Sequence, residues 1–357
     1  MIIVFIIASL TIYKLVSNTN PLLITPLLIL IYILTLKIPV KREYFTEMSS
    51  NKNVSEIPNV LLHITNLVKG CVTKRPSKHI KSPYVADVHI KSPYVADVIL
   101  SDDINTEVIA HTAALGCCGL ADAGAEVMMT TTPESKNGNK TQKCSHRIYL
   151  SILNDTRNTT NENKVIIGIN PKIAEELVEN ALKQNMLALL QNVKSYRRET
   201  TIYVENQIDS RFDFTGIDEN GTPFIMEVKN VPLADYEDLP LHERGKIDFT
   251  GRDWNSKIAY FPDGYRKKIT DTISPRALKH ICELKKIKEI SKTRCLICFV
   301  IQRDDVNRFQ ASVVDPEYRM ALKNAVDAGV EVITLVIKWH ENGVAELVKQ
   351  NLPIYFD

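Results

Sequence analysis

Two carboxylates and a lysine stand on neighbouring β-prone runs of the sequence, with a turn signal between them. Asp213 lies in the first run, and Glu227 and Lys229 lie in the second, separated by one residue. The intervening segment, residues 216–222, contains Asn-Gly and is typical of a β-hairpin turn. Two carboxylates and an ammonium group at this spacing can hold a divalent metal ion beside a phosphodiester, which is chemistry suited to a nuclease.

The length of the turn decides whether the two carboxylates face each other. Side chains alternate along a strand, so Glu227 and Lys229 share one face. A two-residue turn would pair Asp213 with Val228 and place Asp213 on the other face. A three-residue loop, residues 219–221, with its glycine in the left-handed conformation, pairs Asp213 with Glu227. Their Cβ atoms would then lie about 5 Å apart, and a cation between the carboxylates would offset their repulsion.

The metal expected for this pair is Mg²⁺ or Mn²⁺, because hard cations prefer oxygen ligands and keep several bound waters. Lys229 would orient the attacking water or stabilise the negative charge that develops at the phosphate. The alternative is a solvated hairpin without chemistry, since short acidic motifs also recur by chance.

Length and composition limit the number of domains and the class of protein. The chain has 357 residues, of which 45% are hydrophobic and 24% charged, enough for two globular domains and an appendage. The net charge of +2 excludes a polycation, so any surface that binds nucleic acid must be local. The seven cysteines are not spaced like a secreted disulfide framework, which favours a reducing compartment.

The amino terminus is strongly apolar. Residues 2–16 and 21–40 predict a membrane anchor of one or two segments within residues 1–40, followed by a polar linker over residues 41–59. A signal peptide and a buried helical hairpin are the alternatives. Basic residues on the carboxyl side of the second segment predict, by the positive-inside tendency, that the large domain lies on the cytosolic side.

A perfect tandem copy follows the linker. Residues 79–88 are repeated without change as residues 89–98, which indicates a genetic duplication rather than a structural repeat. We expect the second copy to form a strand that continues into Ile99 and Leu100, and the first copy to form a loop. This region also carries candidate contacts to phosphate, for which a solvated basic loop is the alternative. These candidates are Lys74, Arg75, Lys78 and Lys81.

Short apolar runs then alternate with turn signals, at residues 107–110, 125–129 and 148–153. This pattern predicts a small OB-like β-barrel within residues 60–160. Barrels of this type bind single strands through basic grooves and aromatic platforms.

Residues 161–357 change to a helix-and-strand pattern. Asn170 and Pro171 predict the cap and first residue of a helix that runs to about Leu190. Ser274-Pro275 opens a second helix, residues 294–301 form a buried strand, and residues 316–328 form a helix that Gly329 ends. A further strand over residues 330–339 completes a right-handed parallel crossover, so this half is α/β with an antiparallel hairpin on one side.

Several segments, in their order along the chain, resemble those of a known family. The chain resembles the sugar fermentation stimulation protein A (SfsA) family over roughly residues 94–339. The matching segments are residues 91–98, 165–170, 210–214, 227–231, 261–263, 278–284, 300–303 and 315–318.

The resemblance implies an α/β (α+β) chain in which an OB-like domain precedes a PD-(D/E)xK nuclease-like domain, with DNA as the partner. It implies that Asp213, Glu227 and Lys229 are the acid, acid and lysine of the nuclease core. Glu199 would complete the metal shell, and Gln302 would support the catalytic site from the end of the next strand.

The resemblance also implies basic contacts to DNA. Lys279 and His280 match a basic face of the helix after the hairpin, and Arg211 precedes the first acid. Lys267 and Lys268 are not part of the resemblance: they lie in a basic insertion that makes the run after residues 261–263 longer than in the family, where they would still touch phosphate.

Besides this insertion, a changed loop and the amino terminus depart from the family. The family loop His-x-Pro-Asn-Thr-Gly is changed at residues 111–116, where the polar Asn and Thr are missing. The apolar amino terminus is also foreign to the family pattern. A metal-dependent nuclease and a non-catalytic, membrane-tethered protein that binds DNA in a regulatory role are therefore both open, as are single- and double-stranded DNA and the oligomeric state.

Overall fold

The computed structural model describes residues 59–79, 94–113, 119–133, 144–157, 164–262 and 273–356. The strands in these ranges are β1 (Val60–His63), β2 (Val68–Lys74), β3 (Val95–Leu100), β4 (Glu107–His111), β5 (Glu126–Thr131), β6 (His146–Asn154), β7 (Lys164–Gly168), β8 (Ser195–Val204), β9 (Ile208–Ile217), β10 (Pro223–Val231), β11 (Ala234–Asp235), β12 (Lys257–Phe261), β13 (Arg294–Ile301), β14 (Val306–Ala311), β15 (Glu331–Trp339), β16 (Val344–Gln350) and β17 (Ile354–Tyr355). The α-helices are α1 (Pro171–Lys183), α2 (Leu241–Arg244), α3 (Pro275–Ile290) and α4 (Pro316–Asp327). A 3₁₀ turn spans Trp254–Ser256.

Five strands of the amino-terminal half close into a small barrel. They follow the order β4-β3-β2-β5-β6, and a parallel pairing of β4 with β6 closes the ring, while β7 adds to β6 outside it. Alternation along the strands turns one set of side chains inward, so that Val72, Ala110 and Ile148 are fully buried in the interior. The predicted OB-like barrel is confirmed by this ring.

Strand β3 begins at Val95, within the second tandem copy, and continues into Ile99 and Leu100, as predicted. Asp97 of this copy is fully buried, and its Oδ2 accepts a hydrogen bond of 2.9 Å from the Lys78 backbone N–H. The backbone N–H of Ser77 donates to the carbonyl of Val95 at 2.8 Å, so the chain enters β3 beside the point where it left β2. The first copy, beyond its opening His79, lies outside the described residues.

The second layer is a seven-stranded sheet in the order β1-β16-β15-β13-β10-β9-β8. Its centre, β10, β13 and β15, is parallel, and the flanking pairs are antiparallel. Strand β13 is buried on both faces: Cys298 belongs to the core with α1, and Cys295 belongs to the core with α3 and α4. The predicted α/β half, with a parallel crossover from β13 to β15, is confirmed.

Local signals set the helix ends. Asn170 caps α1 through its side chain, which accepts a hydrogen bond of 3.2 Å from the Lys172 backbone N–H, and Pro171 is the first residue. The helix ends at Lys183 rather than near Leu190, because Asn185 adopts a left-handed φ of 55° that stops the helical path. Gly329, with a φ of 92°, follows α4 as predicted.

No single position in the sequence separates the strands of the barrel sheet from those of the large sheet. Strand β1 pairs with β16 in the large sheet, although the sequence predicted residues 60–160 as one barrel domain. Strand β7 lies in the barrel sheet, although it falls in the predicted second domain, residues 161–357. A third sheet, in the order β11-β12-β14-β17, completes the described part of the chain.

The predicted membrane localisation, with the large domain on the cytosolic side, is overturned. Within the described residues no helix combines the length and the apolar character that a bilayer crossing requires. The longest of these helices, α3, has 16 residues and carries four lysines, whereas a spanning helix needs about 20 predominantly apolar residues. Residues 1–40, from which the anchor was predicted, lie outside the described residues. Residues 41–58, which make up all but the last residue of the predicted linker, do so as well.

Candidate functional site

The acidic hairpin has the register that the three-residue loop predicted. Strands β9 and β10 pair from Pro223 with Ile217 to Met226 with Phe214. The loop between them, residues 219–221, is closed by a hydrogen bond of 2.9 Å from the Asp218 backbone N–H to the carbonyl of Thr222. Gly221 is left-handed, with a φ of 84°. The confirmed register makes Asp213 and Glu227 the next pair along the hairpin.

The ladder stops one pair before the two carboxylates, where the strands diverge. Phe214 packs in the core under α1, whereas Phe212 packs in the core under α3 and α4, so β9 twists sharply at Asp213. In place of a ladder bond, the Val228 backbone N–H donates to Asp213 Oδ2 at 2.7 Å. The divergence holds the Asp213 carboxylate in the gap between the two strands.

Glu227 is the most constrained side chain of this site. It is 2% exposed, and its Oε1 accepts a hydrogen bond from Lys229 Nζ at 2.5 Å. The same oxygen contacts His280 Nδ1, from helix α3. Its second oxygen, Oε2, is buried and has no hydrogen-bond partner within the described part of the chain. One carboxylate oxygen is therefore held by two nitrogen groups and the other is left open to a ligand.

The surroundings shift the pKa values of Asp213 and Glu227 in opposite directions. Burial, and then the charge of Glu227, raise the pKa of Asp213 to about 7. Burial alone would raise the pKa of Glu227, but Lys229 and then His280 outweigh it and hold that pKa below its ordinary value. At neutral pH Glu227 is ionised and Asp213 is close to its titration midpoint.

Three groups around the site were not singled out from the sequence for this position. Glu175, on α1, contributes a charge that raises the pKa of Asp213. The hydroxyl of Tyr318, on α4, is fully buried and without a partner among the described residues, and burial followed by the charge of Glu227 raises its pKa. His280 is 4% exposed against Glu227, whereas the sequence suggested a basic helix face. Only the folded packing of α1, α3 and α4 brings these groups to the hairpin.

Glu199 lies on β8, opposite Asp213 of β9, but its side chain turns away from Asp213. Its neighbours Arg198 and Thr200 pair with Phe214 and Phe212, while Glu199 itself adopts a left-handed φ of 53°. Its side chain is 54% exposed and lies 3.3 Å from the guanidinium of Arg211. The structure thus pairs two predicted site residues with each other, outside the pocket of Glu227.

Gln302 follows β13 and uses both ends of its amide elsewhere. Its Nε2 donates to Asn230 Oδ1 at 2.9 Å, and its Oε1 accepts from Trp339 Nε1 at 2.8 Å. Its backbone N–H donates to the carbonyl of Val231, and its carbonyl accepts from Gly168 of the barrel sheet. Gln302 therefore joins the two sheets beside the site and does not contact Glu227.

The predicted basic contacts are spread over separate surfaces. Lys74 is exposed, and Arg75 and Lys78 approach Asp122 and Glu107 at 3.4 and 2.6 Å. Lys279 is exposed on α3 and donates to the carbonyl of Asp209. The remaining candidates, Lys81, Lys267 and Lys268, lie outside the described residues.

Comparison with known proteins places this arrangement in a family. A protein-family model described as "Sugar fermentation stimulation protein RE domain" matches residues 172–245 and 247–343. The sugar fermentation stimulation protein homolog of Jannaschia sp. is 31% identical over 240 residues, which cover 66% of this chain and 81% of that protein. The homolog of Alteromonas mediterranea is 30% identical over 251 residues, which cover 66% of this chain and 91% of that protein.

A solved structure agrees at the level of the fold. Pyrococcus furiosus SfsA, in a structure described as a complex with Ca²⁺, matches with a TM-score of 0.58 and 18% identity. The match covers 83% of this chain and 99% of that chain, so the barrel and the large sheet are shared. With two relatives at 30% identity or more that are covered over most of their length, the chain belongs to the sugar fermentation stimulation protein (SfsA) family.

Proposed function

We propose that this protein binds DNA and cleaves its phosphodiester bonds with the help of Mg²⁺ or Mn²⁺. The observation that carries the proposal is the end of the β9–β10 hairpin. There, Asp213 and Glu227 are the next pair in register, Lys229 contacts Glu227, and Glu227 Oε2 is buried without a partner among the described residues.

The residues fit an oxygen-loving cation. The open Oε2 of Glu227 needs a positive partner, and burial, followed by the charge of Glu227, raises the pKa of Asp213 in a way that a bound cation would offset. In the described part of the chain no cluster of three or more His, Cys, Asp or Glu forms a metal cage. Two carboxylates without a cage suit Mg²⁺, which keeps several waters, better than structural Zn²⁺. The similar Pyrococcus protein, in complex with Ca²⁺, supports oxygen ligation.

When bound, the metal would supply a Lewis acid for the phosphate and lower the pKa of a bound water. Asp213 and Glu227 would hold the cation, while the Val228 N–H and His280 keep the two carboxylates in place. The ammonium group of Lys229 lies close enough to Glu227 to orient a water beside it or to stabilise charge on the phosphate oxygens.

The first prediction concerns cleavage. Asp213→Asn and Lys229→Ala are each expected to lower the cleavage rate of DNA in Mn²⁺ about 100-fold or more. The first variant removes a charged ligand of the cation, and the second removes the ammonium group beside the reacting phosphate. Glu219→Gln, an exposed carboxylate in the same hairpin, is the matched control and should cleave like the wild type. The assay uses the full chain with labelled single- and double-stranded DNA, and a gel that separates the products. Equal rates in all four proteins would refute the assignment.

A second candidate is a DNA-binding protein that keeps the nuclease scaffold without catalysis. Glu199 favours it, since its carboxylate turns to Arg211 and leaves two carboxylates near the gap. Binding of DNA by the wild type with no cleavage in Mg²⁺ or Mn²⁺ would select this candidate.

A further inference from the structure

A second cluster of side chains lies at the junction between the barrel and helix α1. The rings of Tyr94 and His111 stack with centroids 6.4 Å apart and planes at 13°. Tyr94 is 38% exposed, so part of its side chain is accessible to a ligand. Flat, exposed aromatic rings on a barrel of this type are suited to stacking against an unpaired base.

Three polar atoms in this cluster are buried without a hydrogen-bond partner within the described residues. They are the Oγ1 of Thr112, the Nδ1 of His111 and the Nε of Arg147. Thr112 is fully buried, and its backbone N–H donates to the carbonyl of Tyr94 at 2.9 Å, which fixes it beside the stacked pair. Burying a polar atom without a hydrogen-bond partner is energetically costly. Three together therefore indicate that a polar ligand completes the cluster.

The charge of the cluster favours an anion. Arg147 lies directly across from His111 in the β4–β6 pairing, and the exposed Lys172 stands in the first turn of α1. Burial, and then the charges of Arg147 and Lys172, hold the pKa of His111 below its ordinary value. The lowered pKa favours the neutral form of the His111 ring beside the side chains of Arg147 and Lys172.

The cluster is adjacent to the acidic hairpin. Lys172 and Glu175 are three residues apart on α1, which is about 4.5 Å along the helix axis. Glu175 Oε2 lies 2.8 Å from the guanidinium of Arg198, which pairs with Phe214, the residue that follows Asp213. The same helix face therefore contacts the strands beside the acidic hairpin. A strand that crosses the first two turns of α1 can reach both sites.

We propose that this cluster binds one nucleotide of a single-stranded nucleic acid, adjacent to the phosphate that is cleaved. Arg147 and Lys172 hold its phosphate, and Tyr94, backed by His111, stacks on its base. A base in a duplex is already stacked between its neighbours, so this contact selects single strands. The inference rests on the proposed function and names its substrate class.

The second prediction tests this nucleotide site by binding alone. The full chain, in EDTA without divalent metal, is titrated into a fluorescent oligothymidine of about twelve nucleotides and, separately, a duplex of the same length. Tyr94→Leu is expected to weaken single-strand binding about 10-fold and to leave duplex binding unchanged, whereas Tyr94→Phe keeps both. Tyr203→Leu, 64% exposed at another site, is the matched aromatic control.

Salt dependence tests the phosphate contacts. Lys172→Gln and Arg147→Gln are each expected to reduce the slope of log affinity against log salt by about 0.7. Lys183→Gln, at the other end of α1, is the matched control, and thermal unfolding identifies any variant that fails to fold.

The binding results test the nucleotide site independently of cleavage. No single-strand binding by the wild type, or equal losses in Tyr94→Leu and Tyr203→Leu, overturns the nucleotide site even if the protein cleaves DNA in Mn²⁺. Selective loss in Tyr94→Leu supports the site even if no cleavage is found, in which case only the proposed catalysis fails.

Discussion

At the scale of single residues, the site is defined by what each carboxylate contacts. Glu227 receives Lys229 and His280 on one oxygen, whereas Asp213 receives one backbone N–H, from Val228. Two acids at neighbouring positions therefore have pKa values pushed apart, a pattern that separates an acid from a base in many enzymes.

The third prediction follows from the raised pKa of Asp213. The folded-state pKa of about 7 lies above the unfolded value of about 3.9, so the protonated carboxyl favours the fold. That stabilisation is fully present below about pH 4 and is lost as the pH rises through about 7. Asp213→Asn cannot ionise and avoids this loss.

We therefore expect the free energy of unfolding of Asp213→Asn, relative to the wild type, to increase with pH across this window by as much as about 1.4 kcal/mol per pH unit. Urea unfolding without metal, at several pH values, measures it, with Glu219→Gln as the control. Curves that stay parallel for Asp213→Asn and the wild type would contradict the raised pKa.

At the scale of elements, the sequence was informative where the signal is local. Loop length predicted the register of β9 and β10, and Asn170-Pro171 predicted the start of α1. The divergence of the hairpin could not be predicted, because it depends on Phe212 and Phe214 packing into two different cores. The burial of His280 was missed for the same reason, since the packing of α3 decides which of its faces meets the sheet.

The fourth prediction concerns the loop that sets this register. Gly221 has a φ of 84°, which a residue with a Cβ adopts only at a cost. Gly221→Ala is expected to lower the free energy of unfolding by about 1 kcal/mol. Gly221→Asn should cost less, because Asn tolerates this conformation. Denaturant unfolding compares the two, and an Ala variant as stable as the wild type would argue against a strained left-handed position.

At the scale of the whole molecule, buried charges link the barrel to the small third sheet. Lys257, at the start of β12, is fully buried, with its Nζ 2.9 Å from Asp305 and 3.9 Å from Asp155, which follows β6 of the barrel. Its ammonium lies 3.4 Å from the centroid of the Trp254 ring. Arg303 also contacts Asp305, at 2.6 Å. No sequence pattern predicted this network, because its members are far apart along the chain.

The fifth prediction concerns this network. Asp305→Asn leaves the buried cations of Lys257 and Arg303 without their carboxylate and is expected to cost about 3–5 kcal/mol of stability. Adding Lys257→Met should recover part of that loss, because it removes one of the stranded charges. Asp327→Asn, which breaks the exposed pair with Lys323, should change stability by about 0.5 kcal/mol or less. Thermal and urea unfolding measure the stability of all three variants. A loss of stability for Asp305→Asn no larger than that for Asp327→Asn would show that the buried network does not stabilise the fold.

The tandem copy has a consequence for how this chain can evolve. Residues 95–98 of the second decapeptide begin β3, and the backbone N–H of Ser77 donates to the carbonyl of Val95, the seventh residue of that copy. Because the duplication is a whole number of codons, slippage during replication can remove one copy without shifting the reading frame. The shortened connection would close at a smaller entropic cost and still supply every residue of the strand. The duplication is therefore reversible in a single mutational step, because either copy supplies the same ten residues ahead of Ile99.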